Sequence, residues 1–278
     1  MADQMHISIL KAKAAQVRKT VLFMIHAAQS GHPGGSLSAA DLMTALYFSE
    51  LRIRPDDPHW DGRDRFVLSK GHVCPVLYAC LGLRGYFDPD HFSTLRREGS
   101  ILQGHPDMKR CPGVDISTGS LGQGLSAAVG MALRAKRDNM NYRVFALLGD
   151  GETNEGQIWE AVQSAAKYEL DNLVILVDNN CLQNDGTCAE VMPTGNLASK
   201  FEAFGCTTQA IDGHDMAAIM DALDRACTGA GKKPQCIIAK TVKGKGVSFM
   251  ENVVGWHGAA PNDEQYAQAI AQIEEGLA

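Results

Sequence analysis

Two short polar motifs stand directly after apolar runs. Gly149-Asp150-Gly151 follows the run at residues 142–148, and Asn179-Asn180 follows the run at residues 172–177. Asp150 brings a carboxylate, Asn180 an amide oxygen, and a main-chain carbonyl such as that of Leu182 a third oxygen. Such donors suit Mg²⁺, which takes few protein oxygens and completes an octahedron with phosphate and water. Gly149 and Gly151 have no Cβ and would let the main chain approach a diphosphate. Singly, each motif reads as an ordinary turn. Together, 30 positions apart and each just past an apolar strand, they form a specific pattern.

Ligands bind parallel sheets at the carboxyl ends of the strands, near a topological switch point. The motifs therefore need neighbouring parallel strands, and the chain supplies the pattern for them. Ile9, Val17, Val21, Met24 and Ile25 fall on one face of a first helix, which Gly31 and Pro33 end. A glycine-rich turn, residues 31–36, precedes a second helix at about 38–51. Residues 65–68 read as a strand and 71–83 as a helix. Residues 99–124 are rich in Gly, Pro, Ser and Thr and read as an active-site-type loop, with a helix over 122–137. Beyond it, apolar strands at 142–148, 172–177, 207–211 and 236–242 alternate with helices at 155–168 and 215–227, and a last helix covers 262–275. Continuous apolar strands between helices predict an α/β fold: a doubly wound, mostly parallel sheet with helices on both faces, one domain over residues 1–278.

Composition narrows the function classes. The 278 residues are 45% hydrophobic with a net charge of −6 and a pI near 5.8, against a nucleic-acid partner, which draws a basic excess. The eight cysteines include no Cys-x-x-Cys pair, and read as buried thiols in a reducing compartment. The apolar run at residues 21–25 is far too short to span a bilayer and no secretory signal is present, so a cytoplasmic protein without membrane contact is expected.

The spacing of Gly149-Asp150-Gly151 and Asn179-Asn180 resembles the thiamine-diphosphate signature. Ser30-Gly31-His32-Pro33-Gly34, Leu68-Ser69-Lys70-Gly71-His72, Gly104-His105-Pro106, the run from Ser117-Thr118-Gly119-Ser120-Leu121 to Gly124, and Trp256-His257-Gly258 look like transketolase motifs in transketolase order. The resemblance covers nearly the whole chain and corresponds to the domain that holds the diphosphate. It implies that Asp150, Asn180 and the Leu182 carbonyl hold Mg²⁺, or another divalent cation such as Ca²⁺ or Mn²⁺. Gly149, Gly151 and His72 would lie against the diphosphate, and Gly119, Ser120 and Leu121 would line the cofactor cleft. His32, His72, His105 and His257 would surround the reacting sugar as catalytic groups. Glu155 would sit where the aminopyrimidine-binding domain docks, and Lys245, in Lys243-Gly244-Lys245-Gly246, near the site. The implied reaction moves a two-carbon ketol unit from a ketose, phosphorylated by expectation, to an aldose. Hydroxyl protons must then leave and return near neutral pH, where imidazole titrates. His6, His26, His59, His91 and His214 read as packing or surface residues.

Full-length transketolases continue into a domain that binds the aminopyrimidine and carries the glutamate that drives ylid formation. No residue here is assignable to that glutamate. The expectation is a split enzyme, with the other domains on a C-terminal partner subunit in an α2β2 complex. The final helix, running to Gly276 without a linker, fits a natural split, and the apolar stretches 36–48 and 155–166 are candidates for the interface. One component of a deoxyxylulose-phosphate-synthase-like enzyme and a catalytically silent regulatory paralogue are the competing readings.

Overall fold

A computed structural model of the chain describes residues 4–228 and 231–276. Helix α1 (Gln4–Ala28) is followed by α2 (Pro33–Ser38) and α3 (Ala40–Ala45), which widens into a π-type turn at Leu46–Glu50. Then come β1 (Arg65–Leu68), α4 (Cys74–Arg84), α5 (Gln123–Arg137), β2 (Val144–Gly149), α6 (Gly156–Lys167) and β3 (Leu173–Asn179). The chain closes with α7 (Cys188–Val191), α8 (Leu197–Ala203), β4 (Thr207–Asp212), α9 (Met216–Thr228), β5 (Gln235–Lys240) and α10 (Asp263–Glu275).

All five strands join one parallel sheet in the order β1-β2-β3-β5-β4. Side chains alternate between its faces, and both faces are covered. Phe145, Leu147, Val174 and Leu176 pack under α1, α3, α4 and α9, while Ala146, Leu148, Ile175 and Val177 pack under α5, α6 and α8. Two-sided burial is why β2 and β3 read as unbroken apolar runs. Edge strand β4 is only half buried, and its sequence is correspondingly polar.

The expected sheet and its helices are present, with differences in detail. The glycine-rich turn is itself helical: Pro33 opens α2, as a residue with fixed φ and no N–H does well at a first helical position. Ile9 is 57% exposed, and Ile7, Leu10 and Ala14 line the buried face of α1 in its place. The stretch from Ser36 to Tyr47, expected to meet a partner, is buried within this chain; its apolar character serves its own core.

The topology positions the two motifs. Strands β2 and β3 are neighbours with Gly149 level with Asp178, and β3 and β5 are neighbours with Asn179 level with Lys240. The residues just after all three strands therefore emerge side by side at the carboxyl edge.

Candidate functional site

A cleft of about 540 Å³ opens at this edge. Asp150, Asn180 and Leu182 all line it. The buried Asp150 carboxylate accepts the Gly151 N–H at 2.7 Å and the Cys181 N–H at 2.5 Å. Burial pushes its pKa up, the nearby Asp178 carboxylate adds to this, and the two amide donors oppose it. The Asn180 Oδ1 accepts the Leu182 N–H at 3.1 Å. Between them Cys181 is held at φ +62°, a strained position of the kind found where a loop is shaped for function. Lys243 Nζ donates to the Leu182 carbonyl at 3.3 Å and to the Gln183 carbonyl at 3.0 Å. Burial and the neighbouring Lys70 lower the Lys243 pKa to about 8, while Asp150 and Asp178 oppose the shift.

Three residues that the sequence reading passed over hold this arrangement together. Asp178, fully buried, accepts from Ser38 Oγ at 2.5 Å and from Lys70 and Thr241. Burial raises its pKa, but Lys70 and the hydroxyl donors outweigh that and leave it lowered. Glu152 accepts from Ser69 Oγ at 2.5 Å, the Gly122 N–H at 2.9 Å and the Gly149 N–H at 3.1 Å. One carboxylate thus fastens three of the sequence motifs to each other. Lys243 is the third. Asp178 stands just before Asn-Asn and Glu152 just after Gly-Asp-Gly, so position beside a motif was the available signal.

His32, His72 and His257 form one cluster, with ring centroids 5.2 Å apart for His32–His72, 5.5 Å for His32–His257 and 5.2 Å for His72–His257. Burial lowers all three. His72 falls to about 2, with Lys70 adding to the effect, and His32 to about 4, with Arg96 adding. His257 falls to about 4, with Lys243 adding, and its Nδ1 lies 2.8 Å from Lys243 Nζ. All three imidazoles are neutral at pH 7, so each offers one donor and one acceptor. Arg96 braces the cluster, donating to Ser30 Oγ at 2.9 Å and meeting His32 Nδ1 at 3.4 Å.

The other expected residues divide. Gly119, Leu121, Gly149, Gly151 and Glu155 line the cleft, Glu155 exposed at its rim. A Cβ on Gly151 would lie 2.9 Å from the Gln183 side chain, so the missing side chain makes room there. His105 stands outside the ring cluster, exposed, with its ring against Gly119: a Cβ on that glycine would lie 3.2 Å from it. Ser120 is exposed and lines a neighbouring groove with Ser117 and Gln123 rather than the cleft. Lys245 does not reach the cleft. It pairs with Glu251 at 3.5 Å and lines a different cavity beside Arg18 and His214, because the turn between the two lysines sends them to opposite sides. Among the described residues no helix is long and apolar enough to cross a membrane.

A two-faced parallel sheet that gathers oxygen donors and glycine-lined main chain in a cleft at its carboxyl edge is an α/β domain with its ligand site where such sheets bind ligands. The chain belongs to the transketolase family: the model for its thiamine diphosphate binding domain matches residues 9–274. It is 44% identical over 266 residues to a 6-deoxy-6-sulfo-D-fructose transketolase subunit of Clostridium sp. (strain MSTE9), covering 96% of both chains. It is 41% identical over 273 residues to an apulose-4-phosphate transketolase subunit of Phocaeicola vulgatus, covering 98% of this chain and 96% of that one. Transketolase from Campylobacter jejuni superposes with a TM-score of 0.91 at 34% identity, over 99% of this chain but 43% of its own. The chain is an enzyme component of this family, matched along its length by subunits and spanning less than half of the solved transketolase chain.

Proposed function

We propose that this chain supplies the diphosphate-holding half of a two-subunit transketolase, with the aminopyrimidine end completed by a C-terminal partner subunit in an α2β2 complex. The observation that carries this reading is the convergence of Asp150, Asn180 and the Leu182 carbonyl with three neutral histidines in one cleft. Among the described residues no three His, Cys, Asp or Glu side chains are grouped to hold a metal. A divalent cation here, Mg²⁺ or else Ca²⁺ or Mn²⁺, would be held by Asp150, Asn180 and the Leu182 carbonyl, with phosphate and water supplying the remaining oxygens. The donor set fits in kind: a carboxylate, an amide and a main-chain carbonyl, from three residues that line one cleft, are the hard oxygen donors such a cation takes.

Bound thiamine diphosphate supplies the reacting carbon and the electron sink for C–C cleavage. Lys243 and Lys70 offset the charge of the diphosphate. His32, His72 and His257, neutral at pH 7, hydrogen-bond the sugar hydroxyls, each with one donor and one acceptor nitrogen, and so orient the reacting sugar. Glu155, exposed at the rim, is the contact offered to the partner. His105 reaches the sugar from beside Gly119. The two subunit relatives are named for ketoses bearing a sulfonate or a phosphate, which supports an anion-bearing ketose as donor and an aldose as acceptor. The eight free thiols support a reducing, cytoplasmic setting.

Asp150→Ala tests the reading. Calorimetric titration of the co-purified complex with thiamine diphosphate and Mg²⁺ should show affinity weakened by about 10²-fold, as expected for losing a charged partner. Unchanged affinity would remove Asp150 from the site.

A further inference from the structure

His214, which the sequence leaves among the packing residues, lies behind the loop that carries Lys243. Its Nε2 accepts the Val242 main-chain N–H at 2.8 Å. Its Nδ1 faces Asp41 Oδ2 at 2.8 Å. Asp41 is in turn gripped by Arg18, with Nη1 to Oδ1 at 3.0 Å and Nη2 to Oδ2 at 2.6 Å. Arg18 and Asp41 are each about nine-tenths buried. A main-chain N–H can only donate, so Nε2 must keep its lone pair and the proton must sit on Nδ1. Asp41 fixes that tautomer: burial opposes its charge, yet Arg18 and His214 hold its carboxyl down to about 2. Helices α1 and α3 therefore reach the 241–246 loop through one imidazole.

That loop has its front face in the cleft. Among the described residues, the Thr241 amide goes to the Asn179 carbonyl at 3.1 Å and the Gly244 amide to the Gly34 carbonyl at 2.9 Å. Between them the Val242 amide is held by a side chain, and Lys243 follows directly. Lys243 Nζ bonds the Leu182 and Gln183 carbonyls and approaches His257 Nδ1.

We propose that His214 is a positioning residue for the cofactor cleft: its Nε2 lone pair clamps the main chain at Val242 and so sets Lys243 against the Leu182–Gln183 turn and His257. His214 touches neither cofactor nor sugar and acts only through Lys243. The link to thiamine diphosphate rests on the function proposed above; the clamp itself does not.

Two substitutions separate the two ends of the imidazole. His214→Gln can keep an acceptor near Val242 and gives up the Asp41 contact. His214→Asn can keep a donor to Asp41 and gives up the acceptor. Each loses one hydrogen bond, so a merely structural residue would make them alike. The clamp requires them to differ. In the purified complex, His214→Asn should speed amide hydrogen exchange over residues 241–246. It should also weaken binding of thiamine diphosphate with Mg²⁺ about tenfold, the effect of leaving one buried donor unpaired. His214→Gln should stay near wild type in both. Equal behaviour of the two folded variants, or wild-type behaviour of His214→Asn, overturns the proposal. Should His214→Asn fail to fold, ¹⁵N NMR of wild-type histidines decides: an Nδ1–H tautomer at His214 supports the clamp, and an Nε2–H tautomer overturns it. Failure of the wild-type complex to bind thiamine diphosphate would count against the cofactor reading, while exchange and tautomer test the clamp without ligand.

Discussion

Three imidazoles packed ring to ring beside Lys70 and Lys243 cannot readily take on charge, and this shows in the response to acid. The ordinary histidine value is 6.5, and in the fold His32 and His257 lie near 4 and His72 near 2. Below pH 6.5 the unfolded chain binds protons at these positions that the folded chain refuses. Stability therefore rises with pH in that window and is lost as pH falls from about 6.5 toward 4. Urea midpoints between pH 7 and pH 5 should fall for wild type and fall less for the His32→Asn, His72→Asn, His257→Asn triple variant. Parallel curves would mean that the three rings are ordinary histidines. At this scale the sequence is readable wherever a residue sits inside a distinctive motif, as Asp150, Asn180 and the three histidines do. Lys243 and Lys245 occupy equivalent-looking places in one four-residue run, and only the turn at Gly244, φ +83°, decides which one faces the cleft. Glu152 and Asp178 were missed because adjacency to a motif is their one local mark, and the distant donors that distinguish them come together only in the fold.

The loops of the site depend on how the elements begin and end. Gly122 precedes α5 at φ +84° and ψ −26°, a left-handed conformation that costs side chains free energy. Its N–H bonds Glu152, and a Cβ there would lie 2.9 Å from the Glu155 Cβ. Gly122→Ala should destabilise the protein by about 2 kcal/mol, combining backbone strain with overpacking. It should also displace Glu155 at the cleft rim. Denaturant melts measure the first effect, and a variant as stable as wild type would refute it. The strands β2 and β3 were legible because burial on both faces leaves an unbroken apolar run. The start of α2 was not: glycines and a proline normally signal a turn, and here complete burial against α4 and the 254–257 turn outweighs propensity.

As a whole, the molecule presents one cleft at the carboxyl edge of its sheet, lined by residues of the sequence motifs. It offers the diphosphate-holding groups, yet no residue in it is assignable to the proton-transferring glutamate. We therefore expect the purified chain, with saturating thiamine diphosphate and Mg²⁺, to turn over no ketose donor until its partner is added. Assays of sulfonated and phosphorylated ketoses with each component alone and together check this, and substantial turnover by the chain alone would overturn the two-subunit reading. The layered sheet was legible from strand–helix alternation. The spatial order of its strands was not, because hydrophobic patterning does not specify neighbours. That order has a kinetic consequence. Strand β1 pairs with β2 only after the long excursion from Leu68 to Val144, which carries His72 and His105, whereas β2 and β3 are joined by a single helical crossover. Closing the longer span costs more chain entropy. The β2–β3 pair should accordingly be protected first during refolding and β1 afterwards, which pulsed hydrogen exchange at Val67 and Leu176 would time. A newly made chain would thus acquire its sheet centre before its histidine cluster, and with it a period in which it is compact but not yet ready to receive a cofactor.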